Sequence, residues 1–270
     1  MGERVAFIIP ETMEEAIWTV PCISQYLLNR LVTERAVDKA YAFCPIVELH
    51  SLFRSCWKGM EVKPLSELTK EIRNEVDLMF EFDAAKAYEL TYKAKKHIVE
   101  AYGILLGTVA LSLLPAIVSG EKEDPGKVVV VDRHDRDSLY SLDDLWDKVD
   151  EFVAMGKAFG IPVDRLPSLP YEQYREELQK ASVIVGVRSS GTLIGACLGK
   201  GVMELSPELF GHKAWMGKWE NKKYSMVHGN LKEMNPIFIW ERTRALVEQN
   251  SQREVKQWER RSFSRQEVVG

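Results

Sequence analysis

Along the first hundred residues, short continuous apolar runs alternate with longer stretches whose apolar positions repeat at helical spacing. Arg4 to Pro10 is such a run, closed by proline, which is the pattern of a strand covered on both faces. From about Glu14 to Glu34, Ile17, Val20, Ile23, Leu27, Leu28 and Leu31 recur on one helical face. The pair repeats with a strand over Lys39 to Cys44 and a helix over Ile46 to Trp57. A weaker strand over Glu61 to Leu65, a strand over Val76 to Phe82 and a long helix from about Ala84 to Tyr102 complete the first half. Strand–helix alternation with short connections predicts a parallel sheet clothed by helices.

After Ile117 the chain passes through the polar stretch SGEKEDPG, which has the composition of a linker, and the alternation restarts. Lys127 to Val131 (KVVVV) is the most strand-like run in the sequence, because consecutive β-branched residues suit a buried pleated position. A helix from about Leu142 to Phe159 follows. Strands are predicted at Pro162–Leu166, Ser182–Val187, Val202–Leu205 and Tyr224–Val227, and helices at Tyr171–Lys180, Thr192–Leu198 and about Pro236–Arg261. The expected fold class is α/β, two Rossmann-like domains with parallel sheets facing across a cleft. Residues 1–118 form the first domain, 119–126 the linker, 127–235 the second domain, and 236–270 a C-terminal helix and tail. The cleft is then the expected ligand site.

Composition narrows the class without naming the activity. With 46% hydrophobic and 28% charged residues, the 270-residue chain is neither disordered nor fibrous. A net charge of −4 gives no overall pull toward polyanions, so any such binding must rest on a local patch. Cys22, Cys44, Cys56 and Cys197 have no CxxC spacing and lie in apolar surroundings, as buried thiols of a reducing compartment do. The N-terminal apolar run is too short for a signal-peptide core, and Ile104–Val118 falls short of the roughly 18 residues that span a bilayer. A cytoplasmic protein without a membrane span is expected, in the host cytoplasm if the chain is viral.

Chemistry concentrates in Ala181 to Glu208, ASVIVGVRSSGTLIGACLGKGVMELSPE. A buried strand runs into Gly186, Arg188, Ser189, Ser190, Gly191 and Thr192, and a helix of small residues follows. Backbone N–H groups and hydroxyls at a helix start suit a phosphate, and Arg188 can add a bidentate contact to a diphosphate. Close packing of a strand-to-helix turn explains the same glycines and alanines.

GVRSSGTLIGACLG over Gly186–Gly199, followed by VMELSP over Val202–Pro207, resembles the turn, helix and short strand of the bacterial lipopolysaccharide heptosyltransferases. That family, glycosyltransferase family nine, carries G-x-D-[ST]-G-x-x-H-x-A-x-A-L-G here and has a GT-B fold. LPYEQYREELQKASVIVG and VHGNLKEMNPIFIWERTRALVE are similar to the flanking segments, EEAIWTVPCISQYL to the family's G-D-x-[IL]-x-T-x-P-x-[IL] helix start, and DLMFEFDAAKAYELTYKAKKHIVEAYG to its later strand and basic helix. The chain departs from the pattern where the family's aspartate falls on Arg188, its histidine on Leu193, and the glycine before the N-terminal acid on Glu14. It is also shorter, chiefly around the linker.

The resemblance implies an inverting glycosyltransferase without a cofactor, its first domain (1–118) binding the acceptor and its second (127–235) the nucleotide sugar; Arg188, Arg136 and the helix dipole can offset the leaving diphosphate's charge, so no metal is expected. The family's N-terminal aspartate, the general base toward the acceptor hydroxyl, aligns with Glu15; a dipole-favoured surface acid is the other reading of that position. Arg133, His134 and Arg136, in the DRHDRD stretch after the KVVVV strand, lie where a nucleotide diphosphate is expected to sit. A basic cluster of Lys86, Lys93, Lys95, Lys96 and His97, if the first half holds the acceptor, suits a phosphorylated acceptor, with Lys86, Lys93 and Lys96 as the binding residues. Trp215 and Trp219 can stack on a base or sugar. The expected partners are a nucleotide-sugar donor and either a phosphorylated glycan or lipid-linked saccharide, or a hydroxymethylated base in viral DNA. A noncatalytic nucleotide or glycan binder on a degenerate GT-B fold is the alternative, and a nucleotide-sugar epimerase of the same architecture a third reading.

Overall fold

A computed structural model of the chain describes residues 2–33, 37–94, 96–109, 126–131, 141–167, 169–207 and 224–250. Two compact units divide it, the described residues up to 109 forming the first and those from 126 onward the second.

In the first unit, β1 (Glu3–Ile8), β2 (Val37–Phe43), β3 (Glu61–Lys63) and β4 (Leu78–Glu81) make one sheet in the order β3-β2-β1-β4, parallel throughout. The order reverses direction between β1 and β4. Helix α1 (Met13–Val32) follows β1, with Thr12 as its N-cap and Pro21 accommodated inside it. The expected helix over Ile46–Trp57 is a 3-10 turn (Val47–Leu49) running into a short α2 (His50–Cys56). Helix α3 (Lys70–Glu75), absent from the sequence reading, is capped by Thr69 and buries none of its residues.

The long helix expected over Ala84–Tyr102 is two helices, α4 (Ala84–Ala94) and α5 (Ile98–Leu106). His97 causes the break: its Nδ1 accepts from the Val99 N–H, and Glu100 accepts from the His97 N–H, a capping box that starts a new helix. Phe7, Tyr26, Phe80, Phe82 and Tyr102 interlock as edge-on and stacked rings over the sheet.

The second unit holds β5 (Val128–Val131), β6 (Val163–Leu166), β7 (Val183–Val187), β8 (Gly201–Ser206) and β9 (Tyr224–His228), again parallel, in the order β6-β5-β7-β8-β9. All four valines of β5 are buried, as a central strand covered on both faces requires. The predicted helix over Leu142–Phe159 is split into α6 (Leu142–Leu145) and α7 (Val149–Phe159), α8 (Tyr171–Lys180) sits where the sequence places it, and α9 (Ser190–Cys197) begins two residues before the predicted Thr192. Residues 236–250 form a further helix, α10. Its Ile239, Trp240, Leu246 and Val247 enter the core built by Val128, Val130, Val185, Met203, Leu205, Trp146 and Phe152. At its end the Asn250 side-chain amide donates to the Ser182 carbonyl.

Candidate functional site

In open parallel sheets, ligands bind beyond the carboxyl ends of the strands that flank the reversal of strand order. Those strands are β1 and β4 in the first unit and β5 and β7 in the second.

Beyond β7, Arg188 leads into Ser189, the extended N-cap residue of α9. The local sequence builds the turn through close approach. A methyl at Gly186 would stand 2.5 Å from Val131 Cγ2 and 2.6 Å from the Val131 carbonyl oxygen, so only glycine lets β7 lie against β5 there. A methyl at Gly191 would strike the Tyr174 hydroxyl of α8, and one at Gly195 the Cδ1 of Ile184. The Thr192 hydroxyl accepts from the Ser189 N–H at 3.1 Å and stands 3.0 Å from the Ser189 carbonyl, closing the first turn. Ser189, Ser190 and Thr192 are buried, yet the hydroxyls of Ser189 and Ser190 have no hydrogen-bond partner. Burying a hydroxyl without a partner costs about 1–3 kcal/mol, so two in one turn are conspicuous.

Two residues that sequence reasoning did not single out stand beside this turn. Glu204 of β8 is buried and is the register partner of Gly186. Tyr224 of β9 donates to it; burial first, and then the Glu204 carboxylate, push the Tyr224 phenol up, while the Arg188 guanidinium pulls it down. Arg188 thus stands near a buried acid in the neighbouring strand. The signal was legible as a charge inside the otherwise apolar run VMEL.

Beyond β1, Glu15 lies in the first turn of α1, half-buried. Its Oε2 accepts from the Thr12 hydroxyl and its Oε1 from the Tyr88 hydroxyl of α4, each at 2.9 Å. Tyr102 of α5 is buried beside them with an unpartnered hydroxyl; burial, then the charge of Glu15 and Tyr88, raise its phenol. No spacing in the sequence links Glu15 to Tyr88.

The basic cluster does not form one free patch. Lys86 pairs with Asp83 at 3.2 Å and Lys93 with Glu89, both within or next to α4, and Lys96 is exposed. His97, expected on that surface, is instead buried as the cap of α5, with its ring against Trp18. Arg133, His134, Arg136, Lys95, Trp215, Trp219 and most of the expected linker lie outside the described residues. Among the described residues, no three His, Cys, Asp or Glu side chains converge as a metal site, and no helix is long and apolar enough to cross a membrane. Burial pushes the Cys22 and Cys56 thiols up to about 12 and the Cys44 thiol up to about 11. Cys197 shifts the same way, so none of the four is poised as a nucleophile.

Two parallel-sheet units of this topology make a GT-B fold. The fold is that of the heptosyltransferases. Escherichia coli ADP-heptose lipopolysaccharide heptosyltransferase II superposes with a TM-score of 0.65 at 12% identity, covering 92% of this chain and 99% of its own. A glycosyl transferase family 9 protein from Veillonella parvula gives 0.63 at 8% identity over 92% and 97% of the two chains. E. coli heptosyltransferase WaaC, solved with ADP, gives 0.58 at 14% identity over 92% and 99%. No protein-family model matches the sequence, and no curated protein is detectably similar to it.

Proposed function

We propose that the protein is an inverting glycosyltransferase that moves a sugar from a nucleotide-sugar donor to an acceptor hydroxyl. The observation that carries this reading is the pair of buried, unpartnered hydroxyls of Ser189 and Ser190 beside Arg188 at the start of α9. A diphosphate supplies the acceptor oxygens those hydroxyls lack, meets the positive end of the helix dipole and accepts a charge-assisted bond from Arg188. Gly186, Gly191 and Thr192 shape the turn, and Arg133, His134 and Arg136, in the sequence after β5 and outside the described residues, are the further donor-binding residues of this reading. The leaving group's charge is offset by these cations, so the reaction needs no metal.

As the acceptor oxygen attacks the anomeric carbon, a new C–O bond forms opposite the departing phosphate oxygen. The old C–O bond breaks with its electron pair on the diphosphate, and Glu15 takes the hydroxyl proton. The acceptor is a phosphorylated glycan or lipid-linked saccharide. A hydroxymethylated base in DNA is the other acceptor; Lys86 and Lys93 pair with neighbouring acids, so either anionic acceptor must displace those contacts to use them.

Ligand that binds only the native state raises its thermal stability, so the test is a melting-temperature panel of nucleoside diphosphates and nucleotide sugars, starting with ADP and ADP-heptose. A single clear stabiliser is expected. Ser190→Ala should leave the free protein at least as stable as before, since it removes a buried hydroxyl that bonds nothing, while weakening that ligand about tenfold through the loss of one hydrogen bond. No shift across the panel at millimolar ligand would remove the donor site. Glu15→Gln should bind donor normally and lose turnover. Retained binding with no turnover in the wild type would favour the noncatalytic binder, the reading that the replacement of the family's aspartate and histidine by Arg188 and Leu193 supports.

A further inference from the structure

Glu15 and Tyr88 come from the two helices that follow β1 and β4, the strands on either side of the reversal in the first sheet. They are 73 residues apart in the chain and meet at 2.9 Å. Each carboxylate oxygen of Glu15 receives one hydroxyl donor, Thr12 at Oε2 and Tyr88 at Oε1. The two donors differ in kind. Thr12 is the N-cap of the helix that carries Glu15, so it moves with the acid, whereas Tyr88 ties the acid to a different helix. A carboxylate held at both oxygens cannot rotate about its terminal bond, and each oxygen still keeps a lone pair to accept a further proton. The Tyr102 hydroxyl, buried beside the pair without a partner, leaves the local polar network incomplete on the side of α5.

We propose that Tyr88 is a positioning residue that fixes the Glu15 carboxylate in the orientation needed to take the acceptor's proton. This inference rests on the glycosyl-transfer reading. Misorientation of a reacting group by a fraction of an ångström lowers rate without lowering affinity, so the loss belongs to kcat and not to donor KM.

Two double-mutant cycles test it. In urea unfolding, Tyr88→Phe, Glu15→Ala and the double variant should show an interaction of about tenfold in the unfolding constant, the worth of a hydrogen bond to a partly exposed charge. Additive losses would mean the bond is absent in solution and would overturn the proposal. In turnover, ADP-heptose hydrolysis with water as acceptor is followed by ADP release. Tyr88→Phe, which keeps the ring, should lower kcat about tenfold with donor KM within about twofold, and should cost nothing further in a Glu15→Gln background. Losses that multiply would show that Tyr88 acts apart from Glu15, and an unchanged kcat in Tyr88→Phe beside an inactive Glu15→Gln would also reject the positioning role while leaving the base in place. Wild-type turnover in Glu15→Gln would instead reject the base, with the unfolding cycle still reporting the pair. No hydrolysis by the wild-type protein would count against glycosyl transfer from this donor and against the role built on it.

Discussion

Replacing Gly186 by alanine is the most demanding test of how the turn is built. The added methyl would stand 2.6 Å from the Val131 carbonyl oxygen and 2.5 Å from Val131 Cγ2, where real Cβ contacts essentially never come under 3.0 Å. The first of those neighbours is backbone in the adjacent strand and cannot swing away. β7 must therefore move off β5 by at least about 0.4 Å, against ladder bonds that hold neighbouring strands about 4.8 Å apart. Overpacking of this kind costs about 1–3 kcal/mol, and the backbone obstacle puts Gly186→Ala near the top of that range, a loss of about 100-fold in the unfolding constant. Gly195→Ala is the matched control. Its methyl would meet the Ile184 side chain, 2.1 Å from Cδ1 and 3.3 Å from Cγ1, but no backbone atom of a neighbouring strand, and alanine gains about 1 kcal/mol of helix propensity over glycine, so its loss should be clearly smaller than that of Gly186→Ala. Urea unfolding gives the ranking, and hydrogen exchange of β5 and β7 amides places the damage. Equal losses in the two variants, or less than about 1 kcal/mol in Gly186→Ala, would refute the argument that close strand approach dictates this glycine.

His97→Ala should cost about 1–2 kcal/mol by removing the cap on the Val99 N–H and the ring contact with Trp18; His97→Asn should recover the cap alone, and equal urea midpoints for the three proteins would contradict this. Stability should fall as pH rises above about 9. Burial raises the Cys22, Cys44, Cys56 and Cys197 thiols and the Tyr102, Tyr171 and Tyr224 phenols, so the folded state keeps protons that the unfolded chain loses in that range. The contribution is fully present below the unfolded pKa values and declines above them; a melting temperature that is flat between pH 8 and about 10.5 would contradict the burial of these groups. For the same reason, a disulfide reagent at pH 8 should modify the native thiols slowly and all four rapidly in urea.

The central strands were legible because they are buried on both faces and so are written as short apolar runs: Val128–Val131 and Val183–Val187 needed no partner to be recognised. The turn after β7 was legible for a related reason, since glycine and small residues at Gly186, Gly191 and Gly195 record how near the neighbouring atoms come. Helix boundaries were harder. Apolar periodicity runs on through Tyr92 and Ile98, and only the unusual cap residue His97, with Glu100 three positions on, marks the break. Helix α3 buries nothing, so it leaves no apolar stripe to find. In the candidate site, Glu15 is marked by a motif, but the contacts of Tyr88 and Glu204 join distant segments, which no local pattern encodes.

The way α10 completes the second unit also shapes the life of the newly made chain. Ile239, Trp240, Leu246 and Val247 are among the last described residues, and they close a core whose other walls were made as early as Val128. Parallel pairing already defers most of this sheet, because β7 must enter beside β5 after β6 has been made. During synthesis the valine strands are therefore on offer to any other unpaired edge until the closing helix leaves the ribosome, whereas the described strands of the first unit are all made by Glu81. The burden on chaperones should fall on the second half of the polypeptide, and a stalled or shortened chain that ends before residue 236 should be the aggregating species.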